Sequence, residues 1–265
     1  MRLISWNYYG LGNPWKGRSH RKIVREQAPI VCFLMETRLD KDGFENLYGN
    51  LPFQNKIIVV KHPKPSEGLV LLWKNTVNLE VINCTSNYVL VVVTKEDGFK
   101  WFLTCFYGWP EAQQKEKSWR LLEYLKTFVV GPWLVIGDFN AFLHALEKKS
   151  RRPLQTSQVE AFKEAFDSCQ LQDLGFKGYP FAWNNKRLGE ADTKIRLDRG
   201  VANKDWIGKF QMSTITHLSS HALDHLPIML QVQSFAQQRQ RHESGFKFEE
   251  SWLLLNDCED TVKEV

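Results

Sequence analysis

The chain has 265 residues, a formal net charge of +5, 43% hydrophobic residues and 25% charged residues. This composition is ordinary for a domain that buries a sizeable core, and it excludes a chain that is disordered throughout. No apolar run approaches the length of a membrane span, so we expect no membrane partner. The mildly basic balance permits a polyanionic partner without requiring one.

The order of the predicted elements indicates an α/β fold. Helical patterns cover residues 18–27, 111–130 and 157–169. Strand-like apolar segments read LISW, IVCFLM, KIIVV, GLVLLW, NLEVINCT, VLVVV, WFLTCFY, WLVIG and IMLQV. Several are apolar throughout, which is typical of sheets covered on both faces, so we expect mixed sheets inside layers of helix.

Most of these strands end in a polar side chain. The residues are Asn7, Glu36, Tyr107, Asp138 with Asn140 two positions later, Asp198, and Asp224 next to His225. One such end is weak information, because every chain leaves its sheet somewhere. Six ends that supply carboxylates, amides, a phenol and an imidazole favour a ligand site, since the crevice of an α/β sheet lies at strand ends.

Each of these motifs has a second interpretation. GDFN, with Asp138 and Asn140, also suits a simple turn after a strand. Asp198 in IRLDRG suits a surface ion pair as well as a carboxylate that orients an imidazole. HALDHLPI suits a hinge, a zinc site or half of an active site. Zinc is disfavoured because Pro227 argues against one helix that carries both His221 and His225.

The sequence predicts one main domain. No linker divides the chain before about residue 234, so we expect a single domain over residues 1–233, followed by a polar linker and the start of a truncated helical segment over residues 234–265. The five cysteines are scattered and none forms C-x-x-C, which favours buried free thiols over disulfides. The N-terminus has no signal-peptide pattern, so we expect an intracellular protein.

The motifs, taken in order, resemble the endonuclease/exonuclease/phosphatase superfamily, and most closely the endonuclease domain of plant LINE (non-LTR) retrotransposons. They read SWNYYGLGNP, METRL, GLVLLWK, FYGWP, PWLVIGDFN, EKK, DLGFKGYPFAWNN, RLDRGVAN and DHLPI, and they span about residues 1–232. The resemblance implies a two-sheet mixed β-sandwich flanked by helices on both sides, a four-layer fold as in deoxyribonuclease I. It also implies a nuclear location.

The implied reaction is hydrolysis of a phosphodiester in double-stranded DNA with Mg²⁺, or Mn²⁺, which leaves a 3′-hydroxyl and a 5′-phosphate. Glu36, Asn7 and Asp224 are the metal ligands that the resemblance implies. Asp138 would activate water, Asn140 would fix the water and the phosphate, and Asn7 would assist the reaction. His225, oriented by Asp198, and Tyr107 would contact the phosphate. Arg18, Arg21, Lys22 and Trp183 are predicted to bind DNA.

Some positions depart from the family pattern. Leu223 stands where the family commonly has Ser before Asp-His, and Tyr9 stands where repair endonucleases have an acid and plant elements often have Arg. Two alternatives therefore remain open: an inactive relic that folds and binds DNA nonspecifically, and a phosphatase of the same fold. No Y-x-D-D motif occurs, so the polymerase portion of a retrotransposon is absent from this chain.

Overall fold

Two six-stranded β-sheets pack face to face between two layers of helices. The computed structural model describes residues 1–10, 14–60, 68–151, 156–219 and 224–234, and for residues 14–18 and 47 it describes the backbone alone. The segment predicted to be a linker and a truncated helix lies outside the described residues from position 235 onward. In the described part of the chain, no helix is both long and apolar enough to span a bilayer.

Fifteen strands and five α-helices make up the described chain. The strands are β1 (Arg2–Asn7), β2 (Val31–Met35), β3 (Asn55–Val60), β4 (Gly68–Trp73), β5 (Asn78–Thr85), β6 (Tyr88–Thr94), β7 (Lys100–Tyr107), β8 (Trp133–Asp138), β9 (Lys148–Lys149), β10 (Gln172–Asp173), β11 (Trp183–Asn184), β12 (Lys194–Ile195), β13 (Asp198–Ala202), β14 (Thr214–His217) and β15 (Ile228–Gln231). The helices are α1 (Pro14–Gln27), α2 (Lys41–Tyr48), α3 (Lys115–Lys126), α4 (Thr156–Cys169) and α5 (Lys204–Lys209).

The two large sheets have mixed pairing. The first has the strand order β14-β15-β1-β2-β4-β3, and the second has the order β10-β13-β8-β7-β6-β5. In each sheet one central pair is parallel, β1 with β2 and β7 with β8, while the neighbouring strands are antiparallel. In each sheet, the carboxyl ends of the two parallel strands therefore lie side by side at the same edge. A small third sheet has the order β11-β12-β9.

Three apolar clusters hold the layers together. The middle cluster fills the space between the sheets, with Phe33, Leu103 and Ile136 fully buried. A second cluster joins the outer face of the second sheet to α3 and α4, where Trp119 stacks on Phe162. A third joins the first sheet to α1 and α2. The predicted four-layer sandwich with helices on both sides is confirmed.

The predicted helix bounds were close but not identical to those in the structure. The helix predicted over 18–27 begins earlier, at Pro14, and the one predicted over 157–169 begins at Thr156. The helix predicted over 111–130 is shorter, because a 3-10 turn precedes Lys115 and the hydroxyl of Thr127 bonds the Tyr124 carbonyl at the C-terminal end. The short helices α2 and α5 were not predicted.

Gly137 in β8 is the tightest point of the second sheet. Its φ is +154°, and a Cβ built on it would lie 1.8 Å from the Phe106 carbonyl oxygen in the neighbouring strand β7. A side chain at this position would force the two parallel strands apart. Asp138 directly follows Gly137 and ends β8. The close approach of β7 and β8 therefore also fixes the position of Asp138.

We predict that Gly137→Ala lowers the free energy of unfolding by about 3 kcal/mol or more, because backbone atoms must move to admit the methyl group. Gly98→Ala is the matched control, since Gly98 has a φ of +78° but no atom within 4 Å of a built Cβ. We expect it to cost about 1 kcal/mol, from strain alone. Urea unfolding of the three proteins measures both values, and equal costs would contradict the close approach.

Candidate active site

One row of residues crosses the end of the second sheet. The parallel pairing of β7 with β8 places Tyr107 beside Asp138, and the antiparallel pairing of β8 with β13 places Asp138 beside Asp198. Side chains in register on adjacent strands share a face of the sheet. All three residues are buried, and the two aspartates have no exposed surface. The pairing therefore assembles a phenol and two carboxylates from distant parts of the chain.

The first sheet adds Asn7 and Glu36 at the ends of its parallel pair. Asn7 is the last residue of β1, and Glu36 directly follows β2 with a left-handed φ of +50°. The Asn7 amide Nδ2 donates to Glu36 Oε1 at 2.7 Å and to Asp138 Oδ2 at 2.9 Å. The Tyr107 hydroxyl donates to the same Glu36 oxygen at 2.9 Å. Asn7 and Tyr107 thus tie the two sheets together through one carboxylate.

His225 completes the group from the turn before β15. Its Nδ1 lies 2.9 Å from Asp198 Oδ2 and 3.8 Å from Asp138 Oδ2. The backbone around it is held on both sides, since the Trp6 indole donates to the His225 carbonyl and the Leu226 N–H donates to the Ala182 carbonyl. Asp198 is therefore a buried partner of an imidazole, and the surface ion pair considered from the sequence does not occur.

The charges at this site are mutually dependent. Burial lowers the pKa of His225, but attraction to Asp198, with smaller contributions from Asp138 and Glu36, outweighs burial and raises this pKa above 6.5. Burial raises the pKa of the Asp198 carboxyl, and the neighbouring Asp138 raises it further, while His225 and Arg199 partly offset both. We infer that the imidazolium is the charge that allows two adjacent carboxylates to be buried together.

Asn140 and Lys115 form the rim beside Asp138. Asn140 has a left-handed φ of +53°, its N–H donates to Asp138 Oδ1 at 2.7 Å, and its Nδ2 donates to the Gly108 carbonyl. The Lys115 ammonium donates to the Trp109 carbonyl at 2.8 Å and to the Asn140 carbonyl. Burial lowers the pKa of Lys115 to about 8, although Asp138 and Glu111 counteract it. Sequence reasoning missed Lys115, because EAQQKEK reads as an exposed helix start.

A second buried cluster consists of four charged side chains. Arg199, which is fully buried, and Arg196 both pair with Glu147 and Asp173, at N–O distances of 2.7 to 2.9 Å. These four charged residues come from the motifs EKK, DLGF and RLDR, and none of the four was assigned a role in the site from the sequence. Two cations and two anions cancel, and each pair is bidentate or shared, which is the arrangement that buried ion pairs require. The cluster flanks Asp198 on both sides in sequence.

A cleft of ≈ 530 Å³ opens beside the residues of the candidate site. Its lining includes Tyr9, Glu36, Lys115, Asn140, Trp183 and His225. The Trp183 ring centre lies 6.5 Å from that of His225, and the two residues form an isolated β-bridge. Of the other residues predicted to bind DNA, Arg21 and Lys22 are exposed on α1 and are not part of this lining, while only the backbone of Arg18 is described.

Of the three predicted metal ligands, Asn7 and Glu36 are in contact at 2.7 Å, whereas Asp224 lies apart from them in the described contacts. In the described ranges, the cluster in which three metal-ligand atoms lie within 4.8 Å of one another comprises Asp138, Asp198 and His225, and it includes neither Glu36 nor Asp224. Asp224 is half-buried and its backbone carbonyl accepts from the Asn184 N–H, while Leu223 lies outside the described residues. The structure thus brings together Asn7, Glu36, Tyr107, Asp138, Asn140, Asp198 and His225, but no described contact joins the Asp224 carboxylate to Glu36.

Of the other histidines near His225 in the sequence, His217 has a structural role. His217 is buried at the end of β14, its Nδ1 lies 2.6 Å from the Tyr179 carbonyl, and its ring stacks on Phe176. Burial lowers its pKa to about 4, so it is a neutral core residue near pH 7. His221 lies outside the described residues.

We predict that Asp198→Asn changes how stability depends on pH. A histidine whose pKa is raised by folding stabilises the fold fully below pH 6.5, and this contribution is lost as the pH rises through the raised value. Between pH 6.5 and 9 the free energy of unfolding should therefore fall more in the wild type than in the variant, by about 1 kcal/mol or more.

Urea unfolding of both proteins at several pH values measures this difference. Lys115, whose pKa burial lowers to about 8, titrates in this pH range in both proteins, so its contribution largely cancels in the comparison. Parallel curves for wild type and Asp198→Asn would show that Asp198 does not hold a proton on His225.

The fold and the sequence agree with a known family. The chain matches the Endonuclease/Exonuclease/phosphatase family over residues 4–221. It shares its fold with the AP endonuclease LMAP from Leishmania major, at a TM-score of 0.67 and 14% identity over 88% of this chain and 87% of that one. It also resembles the endonuclease domain of TRAS1, a telomere-specific non-LTR retrotransposon, at a TM-score of 0.64 and 11% identity over 88% and 98%.

A 3′-5′ exonuclease from Neisseria meningitidis has the same fold, at a TM-score of 0.63 and 16% identity over 88% of this chain and 100% of that one. No curated protein sequence matches the chain significantly. The family match spans most of the chain, and the polar residues of the sequence motifs lie together at the ends of the two sheets. The chain therefore belongs to the Endonuclease/Exonuclease/phosphatase family.

Proposed function

We propose that the chain is a divalent-metal-dependent endonuclease that nicks double-stranded DNA and leaves a 3′-hydroxyl and a 5′-phosphate. One observation carries the proposal: an unbroken series of contacts runs from Glu36 through Asn7 and Asp138 to His225 and Asp198. The series places acidic, amide and cationic groups together at the end of both sheets. This combination suits attack of water on a phosphodiester anion, where charge must be neutralised and a proton removed.

His225 supplies positive charge to the phosphate. Its Nδ1 is engaged by Asp198, so Nε2 is the ring nitrogen left to donate to a phosphate oxygen in the cleft. The raised pKa keeps this donor protonated at neutral pH. A preorganised cationic donor stabilises the charge that builds up on the non-bridging oxygens as water attacks, without reorganisation at the moment of reaction. Asp198 is the positioning residue that fixes the ring and its charge.

Asp138 is the residue that we propose accepts the proton of the attacking water. Its two oxygens are oriented by the Asn140 N–H and by the Asn7 amide. As the water oxygen bonds to phosphorus, one of its protons passes to Asp138. The bond from phosphorus to the 3′ oxygen breaks, and that oxygen takes a proton from solvent to become the 3′-hydroxyl. Asn140, which lines the cleft, would hold the water and the phosphate. General-base assistance of this kind contributes on the order of a hundredfold or more.

Glu36 is the residue best suited to hold a divalent cation such as Mg²⁺ or Mn²⁺. Its Oε1 accepts from Asn7 and Tyr107, while Oε2 lies 3.7 Å from Arg38 Nη2 and is the oxygen available to a cation. One carboxylate with water ligands fits Mg²⁺, which keeps much of its hydration shell in proteins. When bound, such a cation neutralises charge on the phosphate and on the leaving oxygen. In this arrangement Tyr107 orients Glu36, and Asn7 acts as a donor. We retain Asp224 as a further acidic ligand.

Double-stranded DNA is the proposed partner, with Trp183 on the cleft wall and Arg18, Arg21 and Lys22 on α1 as contacts. We further propose an origin in a LINE retrotransposon endonuclease and a nuclear site of action. The motifs SWNYYGLGNP, PWLVIGDFN and RLDRGVAN support this origin, and so does the shared fold of the TRAS1 endonuclease domain.

We predict that the purified protein converts supercoiled plasmid to open circles with Mg²⁺, and that His225→Ala and Asp138→Asn each lower the rate at least about a hundredfold. Chelation should abolish the reaction. A DNA polymerase should extend the nicks directly, because they carry 3′-hydroxyl groups. Agarose gels with and without polymerase measure both properties.

Asp97→Asn is the matched control and should leave the rate unchanged, since Asp97 lies in an exposed turn between β6 and β7 and is not part of the cleft lining. Full activity in Asp138→Asn would contradict the mechanism. Salt-sensitive DNA binding without nicking at any metal concentration would support the inactive relic instead.

A further inference from the structure

The lip of the cleft carries an exposed aromatic ring that the proposed reaction does not use. Tyr9 lines the cleft together with Glu36, and it is 53% exposed. Other strongly exposed large apolar residues, such as Val130, Leu146 and Leu188, are not part of the cleft lining. Tyr9 differs from these residues because it lies beside the proposed phosphate site, where an aromatic face can stack on a base of the bound nucleic acid.

The backbone holds Tyr9 in this position. Its φ is +45°, an uncommon conformation for an aromatic residue, and its N–H donates to Asn7 Oδ1 at 3.1 Å. The next N–H, that of Gly10, donates to the Glu36 carbonyl at 2.7 Å. Both bonds lead to residues of the candidate site. The backbone of Tyr9 is thus tied to the same two strand ends that position Asn7 and Glu36.

Arg38 supports one side of the ring. Its guanidinium carbon lies 4.1 Å from the Tyr9 ring centre, and its Nη2 lies 3.7 Å from Glu36 Oε2. Gly10 permits this contact, because a Cβ there would lie 3.3 Å from Arg38 Cδ. The cation–π contact fixes the plane of the ring and adds positive charge behind it. A flat, positively backed surface next to a phosphate site matches the base of a nucleotide whose phosphate occupies that site.

The geometry points to a binding site for an unpaired base: we propose that Tyr9 and Arg38 form a stacking platform for an unpaired nucleobase next to the scissile phosphate. In an intact duplex each base face is already covered by its neighbours, so an aromatic ring gains a stacking partner only where a base is unpaired. Junctions between duplex and single-stranded DNA would then be preferred over continuous duplex. This inference rests on the proposed endonuclease function.

Fluorescence of 2-aminopurine tests the platform without requiring catalysis. The probe is a DNA duplex with one unpaired 2-aminopurine at a junction, and stacking on an aromatic ring quenches its emission. We expect saturating wild-type protein and Tyr9→Phe to quench the probe and Tyr9→Ala to quench it much less. Tyr124→Ala is the matched control, because Tyr124 is equally exposed at 53% on α3 but is not in the cleft lining. Absent quenching by wild type, or equal quenching by Tyr9→Ala, would overturn the proposal.

Cleavage kinetics separate this inference from the function on which it rests. We expect Tyr9→Ala to raise KM for the junction substrate about tenfold while KM for continuous duplex and kcat change little. If the wild type cleaves both substrates with equal KM, the platform is wrong and the endonuclease function stands. If the wild type quenches the probe but cleaves neither substrate, the platform stands as a binding site and the endonuclease function fails.

Discussion

The buried imidazolium of His225 is the interaction on which the site depends. The pairing of β8 with β13 places Asp138 directly opposite Asp198, with both side chains fully buried. Two like charges in register without solvent would destabilise the sheet. The His225 ring lies 2.9 Å from one carboxylate and 3.8 Å from the other and supplies the compensating charge. The same charge that permits the fold at this point is the one that a phosphate would meet.

The rest of the molecule keeps this arrangement in register. The parallel pairs of the two sheets bring four strand ends to the same end of the sandwich. Asn7 links the two sheets there, because its amide donates to Glu36 in one sheet and to Asp138 in the other. Gly137 allows β7 and β8 to approach closely enough for the row to form. Beneath it, Arg196 and Arg199 are neutralised by Glu147 and Asp173, so the RLDR segment is anchored on both sides of Asp198. The RLDR segment thus contributes to the stability of the fold and, through Asp198, to the candidate site.

The sequence was sufficient for the layers and for much of the site, and physical reasons explain the rest. Apolar runs and helical spacing predicted the sandwich, because burial of whole strands leaves a strong local pattern. The polar strand ends predicted residues that do contact one another, such as Asn7, Asp138 and His225, but no described contact joins the Asp224 carboxylate to them. The pairing of Asp198 with His225 was expected from the family resemblance and not from any local pattern, since the register with Asp138 and the position of His225 are tertiary. Lys115 and the Arg196–Arg199 cluster were missed for the same reason: charged residues look exposed until the fold buries them.

An NMR titration of the His225 ring nitrogens in the wild-type protein is the direct test of the buried imidazolium. We predict that both nitrogens are protonated at neutral pH and that deprotonation occurs well above 6.5, because two buried carboxylates face the ring. A neutral His225 at pH 7, with a pKa at or below 6.5, would contradict this prediction.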